Sequence, residues 1–184
     1  MNREKDLRNV LVSICRWNAK RFERRWNSKL VVALIKEEVD ELLTAEKERN
    51  LVETLDALGD IFYACVSGIW KLGHDPMDMY LSIKESGMIP EDETLSDWLN
   101  TWGLRPPMVN LYKLVNRVLL ELEQVCNSKE LATMVLRSIC DSNDTKSEEC
   151  LNVDGSKNLK VSKGAYYEPP TVDLTNIAKF ITKG

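Results

Sequence analysis

Histidine is nearly missing: His74 is the sole imidazole in 184 residues. That excludes zinc centres with several histidine ligands and the paired Glu-x-x-His sites of di-iron bundles. Cysteine is little used as well. Cys15, Cys65, Cys126, Cys140 and Cys150 are odd in number, scattered and never spaced as CxxC, so they read as reduced thiols packed as small hydrophobes. No apolar run approaches the roughly 20 residues of a membrane helix, and MNREKDLRNV lacks the apolar core of a signal peptide. The expectation is a cytoplasmic protein with no membrane partner. Basic charge is not in surplus either. A net charge of −4 and a pI near 5.2 give no general attraction to a nucleic acid polymer. Alternating strand patterns of any length are absent, so the fold class expected is all-α.

What is present is enough for one domain over residues 1–184. The hydrophobic content of 43% supports a real core. Apolar residues recur at helical spacing from about Leu7 to Trp26, from Leu30 to Lys47 and from Leu51 to Leu72, with Gly73 closing the third run. Short links predict antiparallel packing. A less regular region follows HDP at 74–76: a helix over Met77 to Ser86, then GMIPEDE, a short segment around Leu95 to Trp102, and a break at Pro106 and Pro107. Val109 to Val125 and Lys129 to Cys140 read as two more helices. ALIKEEVDELL and LVNRVLLELEQ align loosely, so this pair is a possible echo of the pair at 30–72. Residues 141–158 read as a polar loop, 161–174 as an extended tail with two prolines, and Leu174 to Ile181 as a last short helix.

Acidic residues are concentrated, nine of the 29 falling within residues 36–60, and their phase decides whether they coat a wet surface. Glu38 is flanked at four-residue spacing by Leu34 and Leu42, and Glu37 and Glu41 are neighbours one turn apart, so these three interrupt an apolar stripe. Asp40, Glu46 and Glu48 fall towards the other side or the helix end and read as solvated charge. Glu53, Asp56 and Asp60 sit at i, i+3 and i+7, a line continued by Tyr63 and Ser67, on a helix whose second half, IFYACVSGIW, is apolar nearly all round. Antiparallel packing lets both acidic sets converge. Buried carboxylates repel, and an isolated buried charge costs several kcal/mol or takes up a proton. A hard divalent cation, Mg²⁺ or Mn²⁺, resolves the conflict with oxygen ligands alone. The plainer alternative is that glutamate is a good helix former and that Lys36, Lys47 and Arg49 neutralise the cluster.

EEVDE at 37–41 and ETLDALGD at 53–60 resemble the EExxE and ExxD motifs of the all-α nucleotide pyrophosphatases. That superfamily holds the MazG-like enzymes, dimeric dUTPases, dCTP pyrophosphatases and phosphoribosyl-ATP pyrophosphohydrolase. SNDTK at 142–146 and VSKGAYYEPP at 161–170 are similar to the SNxxK and KGxxYxPP tail of MazG-like proteins, many of them from phages. The resemblance covers about residues 5–75 and 129–172, and residues 76–128 depart from it as an inserted helical segment. It implies an antiparallel MazG-like helical bundle with an extended C-terminal tail, hydrolysing a nucleoside triphosphate to the monophosphate and pyrophosphate by attack of water next to the nucleoside. Carried over by motif, Glu38, Glu41, Glu53 and Asp56 hold Mg²⁺, with Mn²⁺ as the alternative ion. Glu37 ligates or orients the water, and Asp60 shares or replaces the role of Asp56. The catalytic set is thus Glu37, Glu38 and Glu41. Asn143 and Lys146 contact phosphate, and Lys163 and Tyr166 close over the substrate. Beside the resemblance, Trp17, Phe22 and Trp26 are candidates for stacking on a base, with core packing of the first helix as the plainer alternative, above all for Phe22, and Tyr63 is placed to line the sugar pocket or to hydrogen bond an acid. A homodimer or homotetramer is implied, in host cytoplasm if the chain is viral, acting in nucleotide-pool control. The alternatives are a dUTPase or dCTP pyrophosphatase proper, and a non-catalytic helical interaction module.

Overall fold

The computed structural model describes residues 3–85, 107–146, 150–152, 159–161 and 163–183. Seven helices carry the described chain: α1 (Arg3–Arg21), α2 (Ser28–Glu48), α3 (Leu51–Lys71), α4 (Pro76–Glu85), α5 (Pro107–Cys126), α6 (Lys129–Asp144) and α7 (Thr171–Ile181). The fold is an all-α bundle, as the sequence predicts. One small departure is an antiparallel pair, β1 (Cys150–Asn152) and β2 (Leu159–Val161), with Leu151 opposite Lys160. Three residues per strand are too few for alternation to show in the sequence.

The hairpin of α2 and α3 turns on two residues. Arg49, at φ 56°, sends its N–H back to the oxygens of Ala45 and Glu46, and the Asn50 side chain accepts the first free N–H of α3 from Glu53. A left-handed residue followed by a capping side chain is an efficient way to end one helix and start the next. The link between α5 and α6 repeats the device, with Asn127 at φ 48° and Ser128 accepting from the Leu131 N–H. The two hairpins whose sequences align loosely thus share the construction of their joints.

α3 is the centre of the bundle and packs against α1, α2, α5, α6 and α7. Leu55, Leu58, Ile61, Phe62 and Ile69 are all fully buried on it, which is why IFYACVSGIW has no polar face to spare. Gly59 lets α6 come close: a Cβ there would stand 2.5 Å from Ile139 Cγ1. Four cysteines, Cys15, Cys65, Cys126 and Cys140, are buried free thiols, as expected.

Several helix ends differ from the sequence reading. α1 stops at Arg21 rather than Trp26, because the Arg24 guanidinium ties the following segment to the end of α3, bonding the Trp70 and His74 oxygens and Asp75. α6 runs one turn further, to Asp144, since Ser142 and Asn143 are buried despite being polar. Pro107 is the first residue of α5, where a missing N–H costs nothing. GMIPEDE, the segment around Leu95 to Trp102 and Pro106 lie outside the described residues. Among the described residues no helix is long and apolar enough to cross a membrane.

Candidate active-site cleft

α1, α2, α3, the end of α6 and the tail after β2 enclose a cleft of about 460 Å³, within the range of small-ligand sites. One wall carries Glu37, Glu38 and Glu41 from α2, with Asp56 and Asp60 from α3 beside them; Lys146 and Lys163 face the acids from α6's end and the tail. Trp17, Phe22 and Tyr63 supply aromatic surface. The α3 contribution follows from helical phase: Asp56, Asp60, Tyr63, Ala64, Ser67, Gly68 and Lys71 fall on one face.

The carboxylates are strained electrostatically. Burial, then Asp60, Glu41 and Glu37, push Glu38 from the ordinary 4.5 to about 8. Burial, with Asp60 and Glu53 next, pushes Asp56 from 3.8 to about 7. Asp60 is also raised, by burial foremost, although Lys146, Lys163 and a hydrogen bond from Asn143 all favour its ionised form. Lys146 in turn is lowered by its own burial while Asp60, Glu38 and Asp56 hold it charged. Lys146 is therefore the compensating charge that the three crowded acids share. Compensation is incomplete: Asp56 Oδ1 is buried without a hydrogen-bond partner.

Oxygen donors of this kind suit a hard divalent ion. Among the described residues no three acidic, cysteine or histidine side chains are gathered closely enough to hold a metal ion by themselves. Mg²⁺ commonly binds through one or two carboxylates plus substrate phosphates rather than in an all-protein cage, and an orphaned Asp56 oxygen beside Asp60 fits that mode. The donor set matches such an ion in kind, with the remaining positions left to water and phosphate.

The lysine side is built from several anchors. Trp17 Nε1 donates to the Asn143 backbone oxygen at 2.7 Å. Arg21 lies 4.6 Å over the Trp17 ring and donates to the Lys146 backbone oxygen at 3.1 Å. The tail is latched by the Glu168 N–H, donating to Thr145 Oγ1 at 2.9 Å, and by Ser142 Oγ meeting the Tyr167 hydroxyl. Lys146 and Lys163 Nζ lie 5.8 and 5.1 Å from the Tyr167 ring centre.

Of the residues singled out in the sequence, the structure gathers Glu37, Glu38, Glu41, Asp56, Asp60, Trp17, Tyr63, Asn143, Lys146 and Lys163 around this cleft. Glu53 lies outside it, exposed on an adjoining open groove that Glu37 and Glu41 also border. Trp26 packs half-buried against the core because the helix expected to carry it ends earlier. Tyr166 is 89% exposed, and its neighbour Tyr167 lines the cleft in its place. Asn18, Phe22 and Lys71 line it too; Phe22 reads as core packing from sequence. Lys71 continues the Asp60–Ser67 stripe by one turn, a signal the sequence held. No described residue of 76–128 lines the cleft.

Residues 14–87 match the model of the phosphoribosyl-ATP pyrophosphohydrolase family, itself of the MazG-like all-α superfamily. No curated protein and no solved structure matches the chain. The family match supports a nucleotide pyrophosphohydrolase-like activity.

Proposed function

We propose, taking residues 14–87 as part of the phosphoribosyl-ATP pyrophosphohydrolase family, that this protein is a Mg²⁺-dependent nucleoside triphosphate pyrophosphohydrolase of the MazG-like kind. The observation that carries the reading is the opposition, in one cleft, of carboxylates driven towards protonation and two lysines, with Asp56 Oδ1 left unpartnered. Perturbed carboxylates that face lysines across a cleft are characteristic of functional sites.

Asp56 and Asp60, with Glu38 nearby, would hold the ion together with substrate phosphate and water, with Glu41 at the mouth and Glu53 on the adjoining groove. When bound, the ion supplies neutralisation of phosphate charge at the reacting phosphorus. Lys146 and Lys163 hold the outer phosphates from the opposite side, anchored by the Trp17 and Arg21 contacts. Water attacks the phosphorus next to the nucleoside, the bond from that phosphorus to the bridging oxygen breaks, and pyrophosphate leaves with the bond's electron pair. A neighbouring carboxylate accepts the water's proton. Glu37, at the cleft edge, orients the water. Trp17 and Phe22 take the base by stacking, and Tyr63 lines the sugar. A homodimer or homotetramer in the cytoplasm, controlling the nucleotide pool, completes the reading. Light scattering after size exclusion checks the assembly.

The test is a panel of canonical and modified nucleoside triphosphates with Mg²⁺, scoring pyrophosphate against phosphate. Pyrophosphate and a nucleoside monophosphate are expected. Phosphate alone, or no metal-dependent product from any member, would overturn the reading in favour of another bond or a helical interaction module.

A further inference from the structure

Asn18 is fully buried on α1, yet it lines the cleft. Its amide cannot turn. Nδ2 donates along its own helix to the Ile14 oxygen at 2.8 Å and across to Ser67 Oγ of α3 at 2.9 Å. Flipping the group would set its oxygen against the Ile14 oxygen, a repulsive pairing of acceptors. Both amide hydrogens are therefore committed, and Oδ1 is left buried without a partner. A native protein seldom leaves such an atom unsatisfied, because a lost hydrogen bond in a desolvated place is expensive.

The surroundings indicate what satisfies it. Along α3 the acids lie at one end of the cleft-lining face, and Ser67 and Lys71 lie two to four turns further on, beside Asn18 and Phe22. Phosphates belong at the acid and lysine end, so the far end receives the base. Lys71 Nζ stands 4.9 Å from the Phe22 ring centre, a donor on an aromatic surface. A fixed acceptor and a donor at the same end match a heterocycle edge that presents an N–H next to a ring nitrogen or carbonyl.

We infer that Asn18 is the specificity-determining residue of this cleft, its Oδ1 accepting an N–H from the nucleobase while Ser67 holds the amide in register. The inference rests on the pyrophosphohydrolase reading only for the direction in which the substrate lies. A hydrogen-bonding site of this kind discriminates strongly, because a base without the N–H leaves the buried oxygen unpaired.

The experiment measures affinity by tryptophan fluorescence for α,β-methylene nucleoside triphosphates, which resist cleavage at the proposed bond. Matched pairs differ in the donor: adenine against purine, cytosine against 2-pyrimidinone, thymine against N3-methylthymine. For the base that binds best, losing the donor is expected to weaken binding to the natural protein at least tenfold. In Asn18→Leu the two members of that pair bind within about twofold of each other. Equal binding of both members to the natural protein overturns the inference, with Oδ1 then satisfied by water alone. Donor-dependent binding without pyrophosphate release from ordinary substrates leaves Asn18 in place and sinks the reaction assignment, whereas no binding of any nucleotide sinks both. Should Asn18→Leu fail to fold, the ratio in the natural protein decides.

Discussion

The indole of Trp17 and the backbone of Asn143 are joined by a 2.7 Å hydrogen bond, which locks α1 to the last turn of α6 three residues before Lys146. The bond is buried, and the ring also meets Phe22 and Tyr63 edge-on at 5.6 and 5.5 Å. One side chain thus shapes the aromatic floor of the cleft and braces its lysine side. Trp17→Phe keeps an aromatic ring, though a smaller one, and deletes the donor. It is expected to lower stability by about 1–3 kcal/mol in urea unfolding and to reduce kcat/KM for triphosphates by roughly tenfold or more, since a displaced catalytic group loses rate steeply. Unchanged kinetics would show that the bond does not position Lys146.

Glu38 and Asp56 test the acid wall. Glu38→Gln or Asp56→Asn is expected to remove at least roughly 10²-fold of kcat, in line with loss of a charged group that acts in the transition state. At pH 8 without divalent ions each variant is expected to be as stable as the natural protein or up to ~1–3 kcal/mol more so, because it relieves burial of charge and repulsion. Loss of both activity and fold would point to a merely structural role.

The pH dependence has a definite sign. Both carboxyls have higher pKa values in the fold than in the unfolded chain, so between about pH 4 and pH 8 the folded state binds more protons. Without divalent ions, stability is fully present below about pH 4 from these groups and falls as pH rises towards 8. Mg²⁺ bound as proposed would replace the protons. Its stabilising shift in Tm is expected to be large at pH 8 and nearly absent at pH 5, as measured by calorimetry; equal shifts at both values would contradict binding at these acids.

Tyr166 and Tyr167 are adjacent but occupy different worlds. Tyr166→Ala, at an 89% exposed position, is expected to change stability by less than about 0.5 kcal/mol and leave KM alone. Tyr167→Ala removes the ring next to both lysines and the contact with Ser142, and is expected to raise KM several-fold. Steady-state kinetics on the pair decides which tyrosine serves the tail motif.

Gly59→Ala places a methyl group 2.5 Å from Ile139 Cγ1. A destabilisation of roughly 1–3 kcal/mol is expected. Combined with Ile139→Ala, the glycine substitution is expected to cost much less than it does alone, a non-additivity readable in a double-mutant cycle.

Much of the site was legible because helical phase is a strong signal. Glu38 interrupting an apolar stripe, and Asp56 and Asp60 sharing a line with Tyr63 and Ser67, are facts of spacing that packing does not alter. Lys71 is legible on the same line, one turn beyond Ser67. Trp26 was misplaced because nothing in WNAKRFERRW announces that Arg24 bonds three partners 46 to 51 residues away. Asn143 looked like loop because polarity and exposure usually go together, and here a buried turn of helix breaks the rule. Asn18 gave no sign at all: a lone asparagine beside a tryptophan gains meaning only when α3 supplies Ser67.

The face of α3 that runs from Asp56 through Asp60, Tyr63 and Ser67 to Lys71 works as a ruler. One residue gained or lost between the two ends would swivel everything beyond it by about 100°, turning Ser67 and Lys71 away from the face that Asp56 and Asp60 share. Descendants of this chain can therefore vary in length at its joints and in its tail, while this span of sixteen positions is inherited whole or abandoned.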